Sequence, residues 1–149
     1  MYKDISTKYQ CEVTCNPSHA ASIILDVERY HEFVPLCCGV NILEDNIYDN
    51  SEREFSALMK IDFCYIKKEF TSHTKYKING ESHSIITTMR DGPDLRSDWI
   101  IVPDLNGGSK INYELNLLCK MTTFVILNPI IQHISSNIKD AFIKRMECV

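Results

Sequence analysis

The sequence predicts an α+β fold in which one antiparallel sheet of about seven strands packs against a long C-terminal helix, with two short helices near the start. Three observations predict it. Ile111, Tyr113, Leu115, Leu117 and Cys119 alternate with Asn112, Glu114, Asn116, Leu118 and Lys120, the two-residue period of a strand with one buried face. Leu127, Ile131, Ile134, Ile138, Ala141 and Phe142 recur at spacings that place them on one helical stripe. Between these lie turn signals at Asn79-Gly80 and Asn106-Gly107-Gly108.

Lys8 to Thr14 reads as a first strand. Asn16 caps well and Pro17 suits a first helical position, so a helix starts there and runs to about Leu25. Asp26 can cap a second short helix with Val27, Tyr30 and Val34 on one face, and Pro35 disfavours its continuation. Val40 and Ile42 begin a strand that ends near Asp45-Asn46. Phe55, Ala57, Met59, Ile61 and Phe63 alternate with Ser56, Leu58, Lys60 and Asp62. Ile66, Phe70 and Tyr76 belong to the next strand, and Ser84 to Arg90 form another. Asp91-Gly92-Pro93 breaks the chain before a strand from Trp99 to Val102, which Pro103 ends. Pro129 either kinks one long terminal helix or begins a fresh one. Short loops favour antiparallel neighbours, and one sheet with one free face suits one covering helix. Residues 1–149 are expected to form a single domain.

Composition narrows the function classes. With 44% hydrophobic and 24% charged residues the chain reads as an ordinary globule. A net charge of -4 offers no broad basic surface for DNA. No apolar run approaches the roughly 18 residues of a membrane span, and residues 1–10 resemble neither a signal nor a transit peptide. A cytoplasmic site is expected, in a bacterium with an AT-rich genome on the Ile, Asn and Lys usage. The seven cysteines are odd in number, and the Cys11–Cys15 spacing finds no second pair, so free thiols are expected rather than disulfides or zinc. The five histidines lack the paired helical spacing of a zincin, and no nucleophile-elbow serine accompanies them. No catalytic residue, metal or required cofactor is expected. Lys67, Lys68, Lys75 and Lys77 form the main basic cluster; they suit a solvated sheet edge, or contact with ribosomal RNA or anionic lipid.

Tyr30-His31-Glu32-Phe33-Val34-Pro35-Leu36-Cys37 resembles the Tyr-x-x-Phe-Leu/Val-Pro-x-Cys motif of the coenzyme Q-binding branch of the START-like, polyketide cyclase-like proteins. Asp91-Gly92-Pro93 followed by Trp99 looks like that branch's Asp-Gly-Pro…Trp element, and Ala141-Phe142 with Arg145 is similar to its Ala-Phe-x-x-Arg ending. The motifs occur in order and span almost the whole chain. The family includes the mitochondrial coenzyme Q-binding protein and the bacterial ribosome-association toxin. The resemblance implies the helix-grip fold, a curved antiparallel sheet around a C-terminal helix, with an apolar cavity for ubiquinone or a related polyprenyl lipid.

On that basis Phe33, Val34, Pro35 and Leu36 would form the cavity mouth; otherwise the segment is a helix stop packed on the sheet. Phe55, Met59, Ile61, Tyr113, Leu115 and Leu117 would line the sheet side, and Leu127, Ile131, Ile134 and Ile138 the helix side. Such stripes equally serve as plain core. Trp99 can stack on a quinone ring or fill the core, and His133 can anchor a carbonyl or face solvent. The resemblance implies a carrier or chaperone supporting respiratory electron transfer, with transient contact at the inner-membrane surface. The alternative is a ribosome-directed protein that binds the large subunit and blocks subunit association; a cyclase-type enzyme is the third reading.

Overall fold

The computed structural model describes residues 1–63, 66–89 and 94–147, and for Phe63, Ile66, Thr123, Phe124, Ile126, Leu127 and Ile130 the backbone alone. Arg90, the Asp91-Gly92-Pro93 break, Cys64 and Cys148 lie outside these residues. The elements are β1 (Tyr2–Val13), α1 (Pro17–Leu25), a 3-10 helix (Val27–Glu32), β2 (Cys37–Asp49), β3 (Glu52–Phe63), β4 (Ile66–Asn79), β5 (Ser82–Met89), β6 (Asp94–Pro103), β7 (Ser109–Lys120) and α2 (Met121–Glu147). The strands form one curved antiparallel sheet in the order β1-β7-β6-β5-β4-β3-β2. α2 lies across β1 and β7 and against α1, while the 3-10 helix rests on β2.

Several boundaries differ from expectation for physical reasons. β1 begins at Tyr2 rather than Lys8, because the whole of β7 is available to pair with it, from Tyr2↔Lys120 to Val13↔Ser109. Ile5 and Thr7 are buried there between exposed Asp4, Ser6 and Lys8, so mixed charge hid a one-sided strand. β2 continues past Asp45-Asn46 to Asp49, and its register slips at Cys37/Gly39, Ile42/Glu44 and Ile47/Asp49. Each bulge adds a residue and breaks the two-residue period. β6 starts five residues before Trp99, at Asp94, with Leu95 and Ser97 on the same face as Trp99.

Asn16 caps α1 through its side chain, which accepts from the His19 amide at 2.8 Å. Asp26 makes no such cap on the 3-10 helix; its carboxylate pairs with Arg29 at 3.3 Å instead. Of the two alternatives at Pro129, the structure takes the single long helix, with Pro129 inside it. Pro129 is exposed, so the carbonyl it leaves unpaired one turn earlier, at Val125, can meet water. The basic cluster also moves from expectation. β4 lies between β3 and β5 rather than at an edge, so Lys67, Lys75 and Lys77 project from an interior strand.

The inward face of the sheet is banded. One row reads Tyr76, Ile85, Trp99, Tyr113 and Tyr9 across β4, β5, β6, β7 and β1. The next reads Phe55, Thr74, Thr87, Ser97, Leu115 and Thr7. Above these, Ile24, Ile101, Ile111, Phe142 and Met146 complete the main core. A smaller cluster of Val27, Val40, Phe55 and Ala57 lies under the 3-10 helix. Near the far end Gly108 sits so close to β1 that a Cβ there would lie 2.3 Å from the Val13 carbonyl oxygen, which excludes any side chain without movement.

α2 is tied down at its C-terminal end. Glu147 accepts from the Thr14 amide at 2.9 Å and from its hydroxyl. These bonds hold the Glu147 carboxyl below its ordinary value of 4.5. A carboxyl that binds its proton less tightly in the folded state stabilises the fold above its unfolded pKa. That stabilisation is lost as pH falls through the depressed folded value. In acid titrations followed by circular dichroism, Glu147→Gln should lower stability at neutral pH and flatten the loss below about pH 4.5.

Candidate functional site

The predicted residues gather in two places rather than one. Trp99, Tyr113 and Leu115 are buried in the main core, with Phe33, Val34, Ile131 and Ile138 packed against it. Phe55 is buried in the second cluster, where Met59 joins it. Leu117 is buried on β7, Ile61 and Ile134 are half-buried, and Pro35 is exposed. Leu127 is helical, with its side chain outside the described atoms. Leu36 adopts a left-handed backbone at φ 70°, a region a leucine enters only when its surroundings impose it.

A set of aromatic rings joins sheet, 3-10 helix and α2. Trp99 stacks on Tyr113 with centroids 4.2 Å apart, and Phe142 meets Trp99 edge-on at 5.1 Å. Phe142 also meets Tyr30 at 5.2 Å and Phe33 at 5.3 Å, both edge-to-face. Tyr113 continues to Tyr9 at 6.2 Å. Such pairs add about 0.5–1.5 kcal/mol each beyond the area they bury. One face of Trp99 is thus taken by Tyr113, so Trp99 fills the core in this state. Sequence periodicity placed Phe142 on the right stripe and Tyr30 on the right face, but gave no sign that they close one ring cluster.

The polar atoms within this interior are hydroxyls and the ring of His83, whose Nδ1 pairs with the Tyr76 hydroxyl at 2.7 Å. Thr7 Oγ1 and Ser135 Oγ lie 2.8 Å apart, buried between β1 and α2, and Ser135 also bonds Tyr113. Thr74 and Thr87 pair at 2.9 Å on neighbouring strands. The Tyr30 hydroxyl donates to the Ile24 carbonyl. Burial drives the Tyr30 and Tyr113 hydroxyls well above their usual range; the bond to Ser135 works against this at Tyr113. Both therefore stay neutral and act as hydrogen-bonding groups rather than as bases. Ser135 and Thr7 were missed from sequence because each is a polar residue at a core position, legible only once partnered.

The remaining candidates carry no reactive group. Burial raises the Cys11, Cys15 and Cys37 thiols, which keeps them protonated. Among the described residues no three His, Cys, Asp or Glu side chains come together as metal ligands. His133 is exposed and bonds Asn137 at 3.3 Å, so it does not reach the interior as an anchor.

Two open grooves flank the ring cluster on the outside. The larger, about 870 Å³, runs between α1, the 3-10 helix and the β2–β3 edge, over Ile23, Val27 and Ile42. The smaller, about 570 Å³, lies between the 3-10 helix and α2, beside Glu32, Asn137 and Asp140. Phe33 and Arg145 line both, and of the residues predicted to bind ligand Phe33 alone lines either. Around the ring cluster the interior is closed, with Trp99 and Phe142 each 4% exposed. Phe142→Ala should therefore lower stability by about 3–5 kcal/mol in urea unfolding. It should also shift the emission of Trp99, the single tryptophan, toward the red.

Comparison with known proteins places this geometry. Residues 5–146 match the family model described as polyketide cyclase / dehydrase and lipid transport. The chain is 30% identical over 132 residues to the ribosome association toxin RatA of Vibrio cholerae, covering 85% of each. A START superfamily protein from Mycobacterium smegmatis superposes with a TM-score of 0.68 at 16% identity, covering 95% of this chain and 97% of that one. The Zhui aromatase/cyclase of Streptomyces sp. R1128 gives a TM-score of 0.68 at 10% identity, covering 97% and 94%. Likeness at these identities concerns the fold, and that fold serves an enzyme as well as other proteins. Among the described residues no helix is long and apolar enough to cross a membrane. The motif order, the sheet gripping α2 and the match over nearly the full length agree: the chain belongs to the polyketide cyclase / dehydrase and lipid transport family.

Proposed function

We propose that this protein binds a neutral apolar ligand, of the polyprenyl quinone type, between the inward face of the sheet and α2, and carries it unchanged. The observation that carries this reading is the chemistry of that face. From β4 to β1 the rows through Trp99 and through Thr87 contain rings, aliphatics and hydroxyls and no charged residue, and on β3 and β2 they reach the ion pair of Arg53 with Asp45. A quinone offers a planar ring and two carbonyl acceptors. The rings of Trp99, Tyr113 and Phe142 suit the first, and the hydroxyls of Ser135, Thr7 and Tyr113 suit the second. Between β4 and β1 a carboxylate or phosphate head would meet no cation, and Arg53 beyond them is already paired with Asp45 at 2.8 Å, so such a head would be costly to bury.

Because the interior is closed, a guest must part α2 or the Phe33–Leu36 segment from the sheet. Burial of the tail offsets that opening, at about 0.8 kcal/mol per methylene-sized group removed from water. Support of respiratory electron transfer is the role such a carrier would fill. Titration with coenzyme Q2 should quench the emission of Trp99 saturably at one ligand per chain. Lipid extraction of protein purified from its own host should recover a quinone. Unchanged emission together with repeatedly empty protein would sink the proposal.

A second reading is favoured by the Vibrio cholerae relative, whose name describes ribosome association. Lys67, Lys75 and Lys77 are exposed on one face of β4, with Glu69 among them and Glu54 4.0 Å from Lys75, and are the cations available for such contact. This reading expects co-sedimentation with large ribosomal subunits at low salt, fading steeply as salt rises. Replacing the three lysines with Glu should abolish it. Failure to sediment with subunits even at low salt would remove it.

A further inference from the structure

On the outside of the ring cluster Phe33 and Arg145 stand between the two grooves. Both grooves end at Phe33, and behind Phe33 the rings run inward without a break. Phe33 meets Phe142 at 5.3 Å, Phe142 meets Trp99 at 5.1 Å, and Trp99 meets Tyr113 at 4.2 Å. Phe33 is thus the outermost member of a path from solvent to the hydroxyls at Ser135.

What holds Phe33 in place is ionic and exposed. The Arg145 guanidinium lies over the Phe33 ring, 5.0 Å from its centroid. The same guanidinium donates to Glu32 Oε1 at 2.9 Å, tying α2 to the 3-10 helix across 113 residues of sequence. Arg145 and Glu32 side chains are 36% and 39% exposed, so water and salt compete for the bond. The segment beneath is pinned at both ends and closed between them by a turn, in which the Cys37 amide donates to the Val34 carbonyl at 3.3 Å. The Val34 amide donates to the Tyr30 carbonyl at 2.7 Å, and the Leu36 carbonyl accepts from the Asp62 amide at 2.9 Å. Pro35 between them has no N–H to give, and it is exposed. Leu36, the third residue of that turn, takes a left-handed backbone that is strained for a leucine.

We propose that guests enter the interior from the side, past Phe33, and that the Arg145–Glu32 ion pair is the clasp of this portal. The proposal rests on the interior-ligand reading, yet its motion exists without a ligand. Opening swings the Phe33 ring toward either groove and uncovers the edge of Phe142 and then Trp99. The competing route lies under the first turns of α2, ahead of Pro129.

Trp99, the single tryptophan and 4% exposed, reports the motion directly. Acrylamide quenching of its emission needs no ligand. Glu32→Gln and Arg145→Met should each raise the quenching constant roughly two- to fivefold, the range a surface ion pair commands. Phe33→Ala should raise it further, and Pro129→Ala should leave it unchanged. Equal melting temperatures would separate opening of the portal from general loosening. Stopped-flow exchange of coenzyme Q2 adds a second readout: both clasp variants should speed association and dissociation together, with Kd little changed. Trp99 as well shielded in both clasp variants as in the parent protein, or freed by Pro129→Ala instead, would overturn the portal. If coenzyme Q2 fails to bind any variant, the ligand reading falls, while the acrylamide result still decides where the fold opens.

Discussion

The meeting of Phe142 with Trp99 is the contact on which the rest of the molecule depends. Phe142 is 4% exposed and touches the sheet through Trp99 and the 3-10 helix through Tyr30 and Phe33. A lone helix with a few apolar residues gains on the order of 10 kcal/mol by burying them and loses a similar amount in ordering. Such a helix stays folded because it is docked. Docking is strong in its second half, where Ser135, Phe142 and Met146 are buried and Glu147 grips Thr14. In its first half Met121 and Val125 are 39% and 72% exposed.

Banding of the inward face follows from the same arrangement. Where α1 and α2 press on the sheet, large residues fill the gap: Ile101, Ile111, Trp99 and Tyr113. In the next row toward the β3–β4 turn the residues shrink to Thr74, Thr87 and Ser97. These hydroxyls are satisfied by one another or by neighbouring backbone, as buried polar groups must be. A guest with its own acceptors can exchange partners with them at little net cost, since one hydrogen bond replaces another. From β4 to β1 the face is thus uncharged without being inert, which separates it from a plain hydrocarbon core.

Much of the fold was legible in the sequence because its signals are local. The alternation in β3 and β7, the Asn16-Pro17 start of α1 and the Asn79-Gly80 turn are each set by residues a few positions apart. What escaped was set across strands. The early start of β1 follows from the length of β7, and the bulges of β2 break the very period used to recognise a strand. The middle position of β4 likewise follows from the order of the meander and not from its lysines. At the site, periodicity identified which face turns inward at Tyr113, Leu115 and Leu117. It could not show that Tyr30 and Phe142 complete one ring cluster, nor that Arg145 reaches Glu32, since those contacts join segments more than a hundred residues apart.

The bulged strand β2 has a consequence for life in a crowded solution. An edge strand of 13 residues is long enough to recruit another sheet, and Leu43, Ile47 and Tyr48 lie exposed along it. Three slips of register within its length break up the straight row of amides and carbonyls that a second sheet would need. Exposed acidic groups at Glu44 and Asp49 repel a like neighbour. A molecule that opened past Phe33, as proposed above, would pass through a state with apolar surface uncovered. The broken register of β2 makes that edge a poor template for a second sheet.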